Sequence, residues 1–189
     1  MSQTPPTADR ARHRRLILVL TVVAVVTYVS DQLTKAWAVA HLIEGRPQQL
    51  VGDFLQLQLI RNPGAAFSLG TGSTWVLTLI AIVVLVVIVR VSRRLGNRGW
   101  AWAFGLLLGG AVGNLTDRLV REPGVGRGHV VDFIAYSTWF IGNVADIAIV
   151  SAACLIALLA LRGTGVDGLR DRGAPDDTTP PNAPPRAGV

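Results

Sequence analysis

The chain has 189 residues, half of them hydrophobic and 16% charged, with a formal net charge of +6 and a mean hydropathy of +0.44. That length suits one domain. The long unbroken apolar blocks exclude a wholly disordered chain, a nucleic-acid-binding domain and an ordinary soluble enzyme. Cys154, the single cysteine, sits inside an apolar block, so neither an intrachain disulfide nor a cysteine metal cluster can form.

Residues 1–13 are polar and are expected to be disordered. The first apolar segment is 16–42 and opens with the unbroken stretch Leu16 to Ser30. Ala36-Trp37-Ala38 resembles a signal-peptide cleavage site. Asp31 and Lys35 fall just before it, however, and cleavage would leave three segments with an odd topology, so the segment reads as a retained span. In the connection that follows, Phe54-Leu55-Gln56-Leu57-Gln58-Leu59 alternates apolar and polar residues, the period of a half-buried strand. Asn62-Pro63-Gly64 then makes a turn. A small β-sheet over about residues 48–70 is predicted on the outer membrane face. Three more apolar segments follow at 75–91, 100–119 and 139–161, each near the length of about 20 residues that spans a hydrocarbon core. Trp75, Trp100 and Trp139 stand at their starts, as interfacial aromatics do. The tail 163–189 is rich in Gly, Pro and Asp and is expected to be disordered.

The basic residues set the orientation. Arg10, Arg12, Arg14 and Arg15 precede the first span, Arg90, Arg93, Arg94 and Arg98 crowd the second connection, and Arg162, Arg170 and Arg172 follow the fourth span. The long first connection holds only Arg46 and Arg61. Arg118, Arg121 and Arg127 near the third connection count mildly against the same assignment. The positive-inside bias gives a membrane all-α protein, a four-transmembrane-helix bundle with both termini cytoplasmic and the small β-sheet extracytoplasmic.

Polar residues inside spans are costly, so their depth is informative. Asp31 lies about 22 Å from the inner face, and Asn114 and Asp117 about 21 and 26 Å from it, at the helical rise per residue. The fourth helix runs the other way and places Asn143 and Asp146 about 6 and 10 Å below the outer face. Three helices thus converge on one polar layer in the outer third of the bilayer, with Asn62 and Asp132 in the connections above it. Asp31 and Lys35 share a helix face, as do Asn114, Asp117 and Arg118, and Asn143 and Asp146. An ion pair that merely fixes the bundle is the plain account of Asp31 with Lys35 and of Asp117 with Arg118. Asp132 and Asp146 have no evident local countercharge. Two such carboxyls brought together can share one proton and serve as general acid and general base.

Gly105, Gly109 and Gly113 recur every fourth residue and read as a small-residue face for close helix packing. Gly109-Gly110 fails as a phosphate loop, since no Lys-Ser/Thr follows. His13, His41 and His129 are too scattered for a metal site. Ser30 and Lys35 point to different faces, which disfavours a Ser/Lys hydrolase.

Five motifs then carry a resemblance: Asp31-Gln32-Leu33-Thr34-Lys35, Asn62-Pro63-Gly64-Ala65-Ala66-Phe67-Ser68, Gly113-Asn114-Leu115-Thr116-Asp117-Arg118, Val130-Val131-Asp132-Phe133-Ile134 and Asn143-Val144-Ala145-Asp146. In this order, and over residues 14–162, the chain resembles the bacterial lipoprotein signal peptidases (signal peptidase II), which are membrane aspartic peptidases. The resemblance implies an endopeptidase of the bacterial cytoplasmic membrane. It removes the signal peptide of a prolipoprotein, cutting before a cysteine that carries a diacylglyceryl group. The family's catalytic aspartates fall on Asp132 and Asp146, and its outer β-cradle on the predicted sheet. Asp31, Lys35, Asn62, Asn114, Asp117, Arg118 and Asn143 occupy motif positions that shape the site or hold the substrate. No metal or organic cofactor is implied. The implied partners are the lipid-modified precursor and membrane lipids, not nucleic acid, and the protein is expected to be a monomer. One departure is visible: Gly142-Asn143 stands where the family has Phe-Asn, which leaves a smaller wall beside Asp146.

The leading alternative is a proton- or cation-coupled carrier, since intramembrane aspartates also mark ion paths. Against it, the chain shows no internal repeat and its polar layer lies outward, not at the midplane. An assembly protein that binds another helix through its glycine face leaves Asp132 and Asp146 without a purpose.

Overall fold

The computed structural model describes residues 6–64 and 74–169, with side chains from residue 10 onward. Its elements are α1 (Pro6–His41), β1 (Gln48–Val51), β2 (Leu55–Asn62), α2 (Thr74–Ser92), α3 (Arg98–Val120), β3 (Val130–Tyr136), β4 (Phe140–Gly142) and α4 (Val144–Leu161). Among the described residues α1, α2 and α4 are long and apolar enough to cross a membrane, and the protein is a multi-pass membrane protein. α3 falls outside that group, its apolarity diluted by glycines and by Asn114, Asp117 and Arg118. It is nonetheless the central helix, packed against α1, α2 and α4.

Glycine makes that centre possible. A Cβ added at Gly105 would stand 2.7 Å from Cβ of Val23, one at Gly109 2.5 Å from the Ala24 carbonyl oxygen, and one at Gly113 2.5 Å from Oδ2 of Asp31. All three partners are on α1, so the four-residue spacing is a backbone-to-backbone seam between α1 and α3. Gly110 faces the other way, where a Cβ would lie 2.7 Å from the Ala145 carbonyl oxygen of α4.

Helix starts follow capping chemistry more closely than apolarity. Asn97 caps α3, its side chain accepting from the amides of Gly99 and Trp100. The fourth apolar block opens at Trp139, but residues 140–142 are strand and α4 starts only after its cap, Asn143. Of the segment 1–13, expected to be disordered, residues 6–13 already belong to α1. Arg12 donates to the Gly96 carbonyl at 2.7 Å and the His13 ring bonds the Leu95 carbonyl at 3.0 Å, which ties this turn to the α2–α3 connection. Residues 163–169 of the expected disordered tail are likewise placed, by bonds from Gly96 N to the Val166 carbonyl and from Trp100 Nε1 to the Thr164 carbonyl. Residues 1–5, 65–73 and 170–189 lie outside the described residues, among them the Ala65-Ala66-Phe67-Ser68 part of the second motif and the end of the predicted sheet.

The sheet is larger than the alternation at 54–59 foretells. It has four antiparallel strands in the order β1-β2-β3-β4, so β2 is paired on both edges. The β2–β3 register sets Ile60 opposite Asp132 and Asn62 opposite Val130, after a shift between Leu57 and Ile60. β3 and β4 pair Ile134 with Gly142 and Tyr136 with Phe140. A cluster of Ala38 and Leu42 from α1 with Leu59, Val131 and Phe133 from the sheet seats it on the end of the bundle. Asp132, pointing opposite to Val131 and Phe133 by strand alternation, is thereby held over the ends of α3 and α4.

Candidate active site

Asp132 and Asp146 line one cavity of 70 Å³, together with Asn62, Gly64, Asn114, Arg118, Val130 and Phe140. That volume has room for water. Asparagines orient both carboxylates. Asp132 accepts from Asn143 Nδ2 at 2.6 Å on Oδ1 and from Asn62 Nδ2 at 2.8 Å on Oδ2. Asp146 accepts from Asn114 Nδ2 at 2.9 Å on Oδ1 and from the Asn143 main-chain amide at 3.0 Å on Oδ2. Neither forms a salt bridge among the described residues. Asp132 is 2% exposed. Burial, with the neighbouring Asp146 charge, pushes its carboxyl up to about 7 against the opposing bonds from Asn62 and Asn143.

The asparagines are themselves fixed. Asn143 Oδ1 accepts from the Asp146 amide at 3.1 Å while Asp146 returns a bond to the Asn143 amide, a reciprocal cap that opens α4. Asn62 Oδ1 accepts from Gly64 N at 2.9 Å, which turns its amide nitrogen toward Asp132. Asn114 Oδ1 receives Lys35 Nζ at 2.9 Å and Asn143 Nδ2 at 3.1 Å, so its own amide nitrogen faces Asp146.

Beneath these lies a charged layer with no solvent access. Lys35, Asp31 and Asp117 are each 0% exposed, and Lys35 Nζ lies 2.8 Å from Asp31 and 2.9 Å from Asp117. Asp31 Oδ1 accepts from the Ala145 amide of α4, and Asp117 Oδ2 from the Val131 amide of β3. One buried lysine thus ties α1 to α3, and its two carboxylates hold the elements that carry Asp146 and Asp132. The i,i+4 partner of Asp117 is Arg121, at 2.7 Å, not its neighbour Arg118. Arg118 turns to the cavity, donating to the Gly64 carbonyl at 3.2 Å and the Asn114 carbonyl at 3.4 Å. Its buried Nε has no partner among the described residues.

All nine residues singled out in the sequence therefore meet in two layers. Asp132, Asp146, Asn62, Asn114 and Arg118 line the cavity, with Asn143 bonded to both carboxylates, while Asp31, Lys35 and Asp117 form the support. Phe140 was not singled out. A Cβ at Gly142 would lie 2.6 Å from the Phe140 ring and 2.8 Å from Asp146 Oδ2, so Phe140, on the same strand face two residues earlier, supplies the wall that Gly142 lacks. Period-two spacing of Phe140 and Gly142 is the signal that could have found it. Among the described residues no group of three His, Cys, Asp or Glu side chains is placed to hold a metal ion.

Residues 23–162 match the family described as Signal peptidase (SPase) II. The chain is 49% identical to a lipoprotein signal peptidase of Rhodococcus jostii over 169 residues, covering 89% of this chain and 84% of the relative. It is 50% identical to one of Leifsonia xyli over 157 residues, 82% and 73% of the two chains. A bacterial membrane enzyme solved at 2.3 Å superposes with a TM-score of 0.69 at 28% identity, over 77% of this chain and 89% of that one. The family match and the relatives make this a membrane hydrolase of the aspartic-peptidase type. Within that class, the chain belongs to the signal peptidase II family.

Proposed function

We propose that this enzyme removes the signal peptide from prolipoproteins, using Asp132 and Asp146 to activate a water. In this reading all four helices span the bacterial cytoplasmic membrane. α3 is included because its 23 residues measure about 34 Å and it is enclosed by the other three. The termini are cytoplasmic, by the arginine bias, and the aspartates lie near the opposite surface. The enzyme acts as a monomer on a precursor whose cysteine carries a diacylglyceryl group. Lipid anchoring holds the bond before that cysteine near the headgroup layer, where the cavity lies, and removes much of the positional entropy of the encounter.

One observation carries the proposal: two carboxylates from different elements face one water-sized cavity, each held by asparagine amides and, among the described residues, free of a salt bridge. The pair shares one proton and titrates as a unit. Its ionised member takes a proton from water as the water oxygen attacks the scissile carbonyl carbon. Its protonated member then gives a proton to the leaving amide nitrogen as the C–N bond breaks. The transient oxyanion forms in a cavity walled by the Arg118 guanidinium. The carrier alternative has no support from the relatives, which are peptidases by name.

The test is turnover of a lipid-modified precursor by Asp132→Asn and Asp146→Asn, each checked for folding. Each should lose at least about 10³-fold in rate. Near-wild-type turnover in either overturns the assignment.

A further inference from the structure

At the bundle end opposite the aspartates lies a cavity of 590 Å³. Arg90 and Val91 of the last turn of α2, with Arg94 in the turn after it, form one wall, and Val166, Asp167 and Leu169, after α4, form the other. The second wall is built rather than draped. Gly96 N donates to the Val166 carbonyl at 2.9 Å, Gly165 N to the Leu169 carbonyl at 2.8 Å, and Trp100 Nε1 to the Thr164 carbonyl at 2.9 Å. A Cβ at Gly96 would collide with the Asp167 carbonyl oxygen, so only glycine permits this docking. Among the described residues, neither Arg90 nor Arg94 has a carboxylate partner. Asp167 is the one acid in the lining, and its Oδ1 accepts from the Leu169 amide at 3.0 Å.

A second cavity of 270 Å³ shares Arg90, adds Arg93, and runs along α2 toward the membrane centre past the apolar Val89, Val86 and Leu85. A cationic pocket at the end of a span, opening into an apolar groove along it, has the polarity of a lipid molecule. Arg90 in the last turn of α2 and Arg94 in the turn that follows it line the same cavity and can take a phosphate between them. With Arg93 from the second cavity, the joined lining carries three positive charges and one negative charge, an excess that favours an anionic headgroup, and Asp167 leaves an acceptor for headgroup hydroxyls.

We infer that the two cavities form one binding site for an anionic phospholipid with a hydroxyl-bearing headgroup. The phosphate lies between Arg90 and Arg94, and one acyl chain lies along Leu85, Val86 and Val89. The leaflet, though not the site, rests on the cytoplasmic placement of the termini proposed above. The catalytic reading is not involved.

The full-length protein in detergent tests this, by native mass spectrometry with phosphatidylglycerol and phosphatidylcholine of equal chain length. sn-Glycerol 3-phosphate serves as the free headgroup. Phosphatidylglycerol should be retained at least about tenfold better than phosphatidylcholine. The double variant Arg90→Gln with Arg94→Gln should abolish that preference while precursor cleavage in detergent stays unchanged. Gly96→Ala, which dislodges the second wall without altering charge, should also weaken it. Arg14→Gln with Arg15→Gln, at the same end of the bundle, should leave it intact. Equal retention of the two lipids overturns the site. So does equal loss in the Arg14/Arg15 variant, which reduces the effect to general surface charge. Equal protection by glycerol phosphate alone makes it a soluble-anion site and overturns the lipid assignment.

Discussion

Asn143 Nδ2 lies 2.6 Å from Oδ1 of Asp132, while Oδ1 of the same side chain caps the helix that carries Asp146. One asparagine therefore serves both as helix cap and as donor to a carboxylate, and substitution separates the two. Asn143→Asp keeps a good cap but sets a second negative charge against Asp132. Its unfolding temperature should fall because the new carboxylate is buried and faces Asp132 and the Val131 carbonyl, and precursor cleavage should fall by about 10²-fold or more. Asn143→Ala should lose both, with a cap cost of about 1 kcal/mol. Parallel unfolding curves and initial rates read the difference.

The pH dependence follows from Asp132, whose carboxyl is raised from 3.8 to about 7. The folded protein then binds more protons than the unfolded chain between those values. The contribution of this group to stability is complete below about 4 and is lost as pH rises to about 7, at up to about 1.4 kcal/mol per pH unit. Thermal unfolding of wild type and Asp132→Asn from pH 4 to 8 checks this. Wild type should lose stability relative to the variant as pH rises.

Catalysis should follow the same group. Cleavage falls on the alkaline side of about 7 as the pair loses its shared proton. Asn62 stabilises the ionised form of Asp132, so Asn62→Ala should move that alkaline limb to higher pH besides lowering the rate. A limb that stays in place would remove Asp132 from the titration.

Among the described residues Lys35 is the only cation in contact with Asp31, and it also orients Asn114. Lys35→Met leaves a buried carboxylate unpaired, at a cost of about 3–5 kcal/mol. Adding Asp31→Asn should restore part of that stability, because one uncompensated charge disappears. Yield and thermal unfolding in detergent measure both steps.

Gly142→Ala places a methyl group against the Phe140 ring and Asp146 Oδ2. Cleavage should drop about tenfold with little change in folding, since a displaced catalytic group costs rate more than stability. Adding Phe140→Leu should recover part of the rate by freeing space on the ring side.

Much of this site could be read from residue order. The depth of Asp31, Asn114, Asp117, Asn143 and Asp146 along their helices, fixed by the helical rise, brings them near one level, which the structure divides into a cavity layer and a buried support layer. The glycines at 105, 109 and 113 announce the α1–α3 seam by spacing alone. The second half of the sheet was not legible. Val130–Tyr136 is a nearly continuous apolar run, buried along most of its length, and such a run has no period to separate strand from helix. Trp139 resembles an interfacial helix start, yet it stands in the β3–β4 turn. The orientation of each asparagine amide was equally hidden, because it depends on partners such as Lys35 and Gly64 that fold in from distant elements.

The reciprocal cap at Asn143 and Asp146 has one more consequence. The acid is itself part of the hydrogen bonding that keeps the first turn of α4 wound, so fraying of that turn dismantles the proposed catalytic centre. Amide hydrogen exchange at Asp146 and Ile147 would then track the fraction of competent enzyme, and thinner or thicker bilayers that tug on α4 would tune its rate without touching the substrate.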